Sequence, residues 1–196
     1  MNKRAPGIVA NLPDESKLTL PGGVLRLRPT LPKDRLPIAV ALSDERVSRY
    51  LAALPCPLDD RTLNEYMDFL CGSGQVSRTL ELNGEFTGIV SLSDQIMFWV
   101  AHEYWGQGIA SSAVNWFVDH HFACPDGRSL KAEVHVSNAG SIYLLERLGF
   151  ERTERMKRRF SFVSETIEDF LVLVLSKSNW SNLAQCNANE TWSRFK

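Results

Sequence analysis

The stretch from Gln95 to His121 constrains this chain more than any other. Gln95-Ile-Met-Phe-Trp-Val-Ala101 is apolar nearly throughout, as a central strand covered on both faces is. It passes through His102-Glu-Tyr-Trp-Gly-Gln-Gly108 into a helix predicted over Gln107 to His121. There Ile109, Ala110, Ala113, Val114, Phe117 and His121 recur at 3.6-residue spacing. The first turn of a helix presents free N–H groups and the positive end of its dipole. Glycines keep a Cβ out of an anion's path and permit the φ values that a nest of amides requires. A phosphate or pyrophosphate is the natural guest of such a loop. A tight strand-to-helix turn without a ligand is the other reading of the same residues.

The flanking elements say what kind of domain holds this unit. Val76 to Leu82 and Glu85 to Leu92 are strand-like runs joined by Asn83-Gly84, a dipeptide that favours a type I′ hairpin. Gly23-Val-Leu-Arg-Leu-Arg-Pro29 alternates apolar and basic residues and reads as a half-buried strand. Lys33 to Leu54 reads as two short helices broken near Ser43. Asp59-Asp60 caps a third that runs to Cys71, with Leu63, Tyr66, Met67 and Leu70 on one face. Leu130 to Val136 is a strand, and Asn138 to Leu148 a helix ended by Gly149. Two last strands are expected near Phe150 to Met156 and Asp169 to Ser176. Crossover helices after Ala101 and Asn138 imply locally parallel strands in a largely antiparallel sheet. Residues 1–20, broken by Pro6 and Pro13 and followed by Pro21, read as a flexible arm, residues 21–180 as one domain and residues 181–196 as a tail.

Composition narrows the function classes. A net charge of −1 gives no reason to expect a nucleic-acid or anionic-membrane partner. No apolar run reaches the roughly 20 residues of a membrane span, so a cytoplasmic protein is expected. Cys56, Cys71, Cys124 and Cys186 form no CxxC pair and read as reduced, mostly buried thiols. His120, His121 and His135 do not form a metal set, and no metal is expected. The basic run Arg152 to Arg159 reads as a solvated strand face, or as a contact for an acidic acceptor or a phosphate.

The glycine loop lacks the lysine of a Walker loop, Ser111 stands where a dinucleotide fingerprint needs its third glycine, and the loop follows a mid-chain hairpin. Trp105-Gly-Gln-Gly-Ile-Ala110 instead resembles the pyrophosphate loop of the GNAT acyltransferases. About thirty residues on, Asn138-Ala-Gly-Ser-Ile-Tyr-Leu-Leu-Glu-Arg-Leu-Gly-Phe150 is similar to that family's second signature. The tryptophan at 105 and Phe98-Trp99 before the loop resemble the ribosomal-protein N-terminal acetyltransferases, the Rim-type subgroup. The resemblance implies an α/β (α+β) fold: a mixed, mostly antiparallel sheet with a central splayed parallel strand pair flanked by helices.

It also implies acetyl-CoA as cofactor. The pantetheine arm would lie along Trp99, Val100 and Ala101. The pyrophosphate would lie on Trp105 and the amides of Gly106, Gln107, Gly108, Ile109, Ala110 and Ser111. Asn138 and Ser141 would contact the pantetheine or adenosine part, although both residues also suit helix capping. The chain departs from the family pattern at Gln95, where many members carry a glutamate base, and at Leu145, where many carry a tyrosine acid. Asp94, acting through water, and Ser141 are the substitutes expected as base and acid. An N-acetyltransferase acting on a small-molecule or peptide amine, as monomer or homodimer, is the first functional expectation. A non-catalytic acyl-CoA-binding or sensing module is the alternative.

Overall fold

The computed structural model describes residues 12–124 and 127–182. Strand β1 (Ser16–Leu20) pairs antiparallel with β2 (Gly23–Pro29). Residues 16–20 therefore belong to the sheet and not to a loose arm. Leu18 and Leu20 alternate with polar neighbours and pack on the core, a pattern too short to register as a strand by itself. A turn over Pro32–Asp34 leads to α1 (Arg35–Leu42) and α2 (Glu45–Ser48), broken beside Ser43 as the spacing predicts. In α3 (Asp60–Cys71) the Asp59 carboxylate accepts the Thr62 N–H at 2.7 Å, and Leu63, Tyr66, Met67 and Leu70 form the buried face. Strands β3 (Val76–Leu82) and β4 (Glu85–Leu92) turn on Asn83 and Gly84 at φ 53° and 92°, the positive pair that a type I′ turn demands.

After β5 (Ile96–Val100) come α4 (Ile109–Ala123), β6 (Leu130–His135), α5 (Ala139–Arg147), β7 (Glu151–Ser161) and β8 (Thr166–Leu175). A helical turn over 177–182 follows, where Trp180 stacks on Phe122 and donates its Nε1–H to Asp119 at 2.9 Å. The strands form two antiparallel ladders, β1-β2-β3-β4-β5 and β6-β8-β7. Crossover helix α4 brings β6 alongside β5, but among the described residues no ladder joins the two. The sheet is split there.

The alternation of each central strand feeds two separate cores. Val90, Val100, Phe117, Phe122, Leu145 and Leu173 pack on the side of α4 and α5. Ile89 and Trp99, one residue out of phase, pack with Ile38, Leu42, Leu63 and Tyr66 under α1 and α3. Burial on both faces is why β5 reads as an unbroken apolar run. A buried polar cluster fixes the entry to α1. Two nitrogens of the Arg28 guanidinium meet Asp34 at 2.7 Å each, and its Nε donates to Glu81 at 2.7 Å. The Leu31 N–H and the Thr79 hydroxyl, each at 2.9 Å, complete the shell of the Asp34 carboxylate.

Two further sequence expectations change. The last hairpin is longer than the pattern indicated, because β7 is exposed at nearly every position and so carries no apolar alternation. The thiols are not mostly buried: Cys71 is exposed and Cys56 and Cys124 half-buried, at helix ends and a turn and not on packed faces. Residues 183–196, with Cys186 and nearly all of the expected tail, lie outside the described residues, as do residues 1–11. His120 Nδ1 contacts the Trp116 carbonyl at 2.7 Å and His121 Nε2 the Arg128 carbonyl at 2.6 Å, while His121 Nδ1 is buried without a hydrogen-bond partner.

Candidate active site

The split between β5 and β6 opens into a cleft of about 1210 Å³. Phe98, Trp99 and Val100 form one wall, and Ala132 to His135 the other. The loop and first turn of α4 close one end. Val47, Tyr50 and Leu51, in and just after α2, flank the other.

Backbone polarity gives this gap an unpaired donor. The Ala101 N–H donates to the Thr87 carbonyl of β4 at 2.8 Å. Strand alternation therefore turns the Val100 N–H away from β4 and toward β6, where no ladder receives it. The Val100 carbonyl, pointing the same way, is taken by the Trp105 indole N–H at 2.7 Å. One hydrogen bond thus ties the glycine loop to the end of β5 and leaves the Val100 amide facing the slot as a donor.

At the closed end, Gly108 is the N-cap of α4 at φ 78°, the left-handed region, and Gly106 has φ 75°. The Gly108 carbonyl accepts the Ser112 N–H and the Ser111 hydroxyl, at 3.0 and 2.9 Å. The amides of Ile109, Ala110 and Ser111 belong to the first turn and have no partner within the helix. A Cβ at Gly106 would meet nothing within 4 Å, so the space over the loop is open. These residues fit a pyrophosphate: three convergent amides, a positive helix end and glycine-lined access.

The structure gathers most of the predicted site residues. Trp99, Val100, Trp105, Gly106, Gly108, Ile109, Ala110, Ser111, Asn138 and Ser141 all line the cleft. The Asn138 carbonyl oxygen accepts the Ser141 N–H at 3.1 Å, so Asn138 caps α5 whatever else it touches. The Trp99 indole faces away and donates to the Tyr66 hydroxyl at 2.9 Å; burial pushes that phenol up to about 12 despite this bond. Ala101 and Gln107 are not among the lining residues, and the Gln107 amide is turned back to the Glu103 carbonyl at 3.2 Å. Asp94 is not brought to the cleft. It is exposed in the β4–β5 turn beside the Ser93 hydroxyl, 3.0 Å away. Six residues of extended chain, roughly 20 Å, separate it from Val100.

Sequence reasoning missed the far wall. Glu133, His135 and Ser137 line the cleft together with Tyr50 and Tyr143. The available signal was the alternation of β6, where Ala132 and Val134 enter the core and Glu133 and His135 point to the opposite face. The basic run is β7, an edge strand. Its Arg152 pairs with Glu146 and its Arg159 with Glu133, so Arg159 supports a cleft residue from behind.

Over residues 25–151 the sequence matches the acetyltransferase (GNAT) domain family. The chain belongs to the GNAT acetyltransferases. A search of the curated proteins finds no match. Solved structures of similar fold include RimJ of Mycobacterium smegmatis in complex with CoA-disulfide, 22% identical, with a TM-score of 0.70 over 89% of this chain and 95% of that one. The spermidine N-acetyltransferase of Vibrio cholerae, in complex with CoA and spermine, is 19% identical, with a TM-score of 0.67 over 80% and 97%. The acetyltransferase of Salmonella typhimurium that modifies the N-terminal serine of ribosomal protein L7/L12 is 15% identical, with a TM-score of 0.63 over 78% and 94%. As in these GNAT folds, antiparallel sheets are flanked by helices. Among the described residues no helix is long and apolar enough to cross a membrane, and no cluster of His, Cys, Asp and Glu could hold a metal ion.

Proposed function

We propose that this GNAT chain transfers an acetyl group from acetyl-CoA to a primary amine, both bound at once in the β5–β6 cleft. The observation that carries the reading is the Val100 N–H, unpaired by any ladder and aimed into a slot whose closed end is the amide-lined start of α4. Two of the relatives above were solved with CoA bound, and one with spermine as well, which supports the cofactor and the amine class. Bound acetyl-CoA supplies an activated acyl carbon and a thiolate leaving group.

The chain's own groups account for the rest. The amides of Ile109, Ala110 and Ser111 hold the pyrophosphate by backbone contact. The Val100 amide is a preorganised donor for negative charge developing on an acyl oxygen, a type of contact worth about 10²–10³ in rate. The Ser141 hydroxyl lines the cleft, which supports it as the donor of a proton to the departing sulfur. Leu145, fully buried, cannot do so. The acceptor enters from the side of Tyr50 and Leu51, opposite the loop.

Release of free CoA from acetyl-CoA, measured with polyamines, small amines and peptides bearing free N-termini, tests the reading. Turnover with at least one class is expected. Tight CoA binding without turnover on any of them would leave the non-catalytic acyl-CoA-binding module, which Gln95 and Leu145 favour. With an active amine in hand, Ser141→Ala is expected to lower kcat about 10- to 1000-fold with little change in acetyl-CoA KM. Asp94→Asn, distant from the slot, is expected to leave kcat unchanged; a shifted acid limb there would restore it as a water-linked base.

A further inference from the structure

An ordered array stands on the acceptor side of the cleft. Ser137 Oγ lies 2.7 Å from His135 Nδ1, and the Ser137 backbone N–H donates to the same nitrogen at 3.2 Å. A nitrogen that accepts a backbone N–H is unprotonated in the neutral ring, so the proton resides on Nε2. Nε2 lies 3.2 Å from Glu168 Oε2, within ion-pair distance, and that buried oxygen has no hydrogen-bond partner of its own. Ser137 and His135 line the cleft and Glu168 does not. The sequence from slot to interior is therefore hydroxyl, imidazole, carboxylate.

The ring is fixed on its remaining sides. Tyr50, which lines the acceptor end, lies 5.9 Å from it between centroids, and Phe170 meets it edge-on at 5.2 Å. The charged and titratable groups around the ring come from each neighbouring element. Glu168 is on β8, Glu133 is two residues earlier on the same face of β6, Arg159 of β7 pairs with Glu133, and Arg49 lies over the Tyr50 ring at 5.5 Å. Glu133 has its own cation. Glu168 has only the imidazole.

Resting on the acetyl-transfer reading above, we propose that Ser137, His135 and Glu168 form the relay that deprotonates the acceptor ammonium. Ser137 Oγ takes one proton from the nitrogen as it gives its own to His135 Nδ1. The imidazolium that results is stabilised through Nε2–H by Glu168. The amine nitrogen keeps its electron pair for attack, and the stored proton later returns to water through the exposed Ser137. Ser137 is the catalytic residue of the array, and His135 and Glu168 act through it. An imidazole suits the task because its charge changes between about pH 5 and 8. The relay fills the role left open by Gln95 and by the distance of Asp94.

The test uses the full chain and its Ser137→Ala, Ser137→Thr, His135→Gln and Glu168→Gln variants. NMR of the imidazole nitrogens without acetyl-CoA is expected to show the Nε2–H tautomer at His135, with its titration displaced in Glu168→Gln. Calorimetry is expected to give wild-type CoA affinity in every variant. On the amine found active, Ser137→Ala and His135→Gln are expected to lower kcat about 10²- to 10³-fold, with Ser137→Thr restoring much of it. His135→Gln should also lose the acid limb of the kcat/KM profile, which a structural role would not move. An Nδ1–H tautomer, or a retained acid limb in His135→Gln, overturns the relay while acetyl transfer stands. Covalent acetylation of Ser137 by acetyl-CoA overturns it in favour of a nucleophilic serine. A wild type that turns over no amine overturns both readings together.

Discussion

The indole N–H of Trp105 donates to the carbonyl of Val100 at 2.7 Å, joining the glycine loop to the last residue of β5. Without it that carbonyl would face the slot, its lone pairs set against the thioester oxygen proposed above as the guest of the Val100 amide. Trp105→Phe keeps the ring and removes the donor. Loss of one such bond costs about 1 kcal/mol. The expected outcome is a roughly 5-fold rise in acetyl-CoA KM, read from steady-state kinetics, with the melting temperature little changed. An unaltered KM would show that the loop holds its position by packing alone.

Gly108→Trp should abolish CoA binding while the chain still folds. The nearest heavy atom to an added Cβ is Ser111 Oγ at 3.9 Å, so the free protein has room for a side chain. The left-handed φ there adds about 1–2 kcal/mol of strain, and the indole would fill the approach to the helix amides. Calorimetry and circular dichroism on the same sample check both halves.

Gly88→Ala addresses a close approach and not the ligand. A Cβ at this position in β4 would lie 2.2 Å from the Trp99 carbonyl oxygen and 2.9 Å from the Val100 Cα. Strand β5 would have to move. Overpacking of this kind costs typically about 1–3 kcal/mol, and chemical denaturation is expected to show at least that. Since β5 also forms the slot, CoA affinity should fall in the folded fraction too.

The Asp34 cluster predicts acid sensitivity. Burial alone would raise the Asp34 carboxyl, but the Arg28 guanidinium, the Leu31 N–H and the Thr79 hydroxyl together hold it below its ordinary 3.8. A carboxyl lowered in the fold contributes its full stabilisation above the unfolded-state value and loses it as pH falls through the folded one. Unfolding free energy should therefore drop as the pH falls below about 4. Asp34→Asn should flatten that part of the profile and cost about 3–5 kcal/mol at neutral pH, since Arg28 is left buried without its main partner.

The elements legible in the sequence were those whose cause is local. Asn83-Gly84 demands positive φ, Asp59 caps α3, and the apolar run at 96–100 needs cover on both faces; each appears where the pattern placed it. The glycine loop was legible as an amide-lined helix start because its residues are consecutive. What the sequence left open depends on pairings between distant segments. Ser137, His135 and Glu168 meet only because β6 pairs with β8, His135 opposite Phe170. The long β7 was hidden because an edge strand wet on both faces carries no alternation. Asp94 looked close to the chemistry because it adjoins Gln95, but a strand's length lies between that turn and the slot.

The split sheet also has a mechanical meaning. Two ladders meet at β5 and β6 without a shared backbone bond among the described residues, so the seam is held by side-chain packing and by the connecting helix. A guest that bonds to β5 on one side and touches β6 on the other serves as the missing rung and staples the two halves. Its binding energy then adds directly to folding stability, by about 2.7 kcal/mol at a hundredfold excess over Kd. Amide exchange along β5 and β6 should slow most, and the free protein should breathe along this line before it unfolds anywhere else.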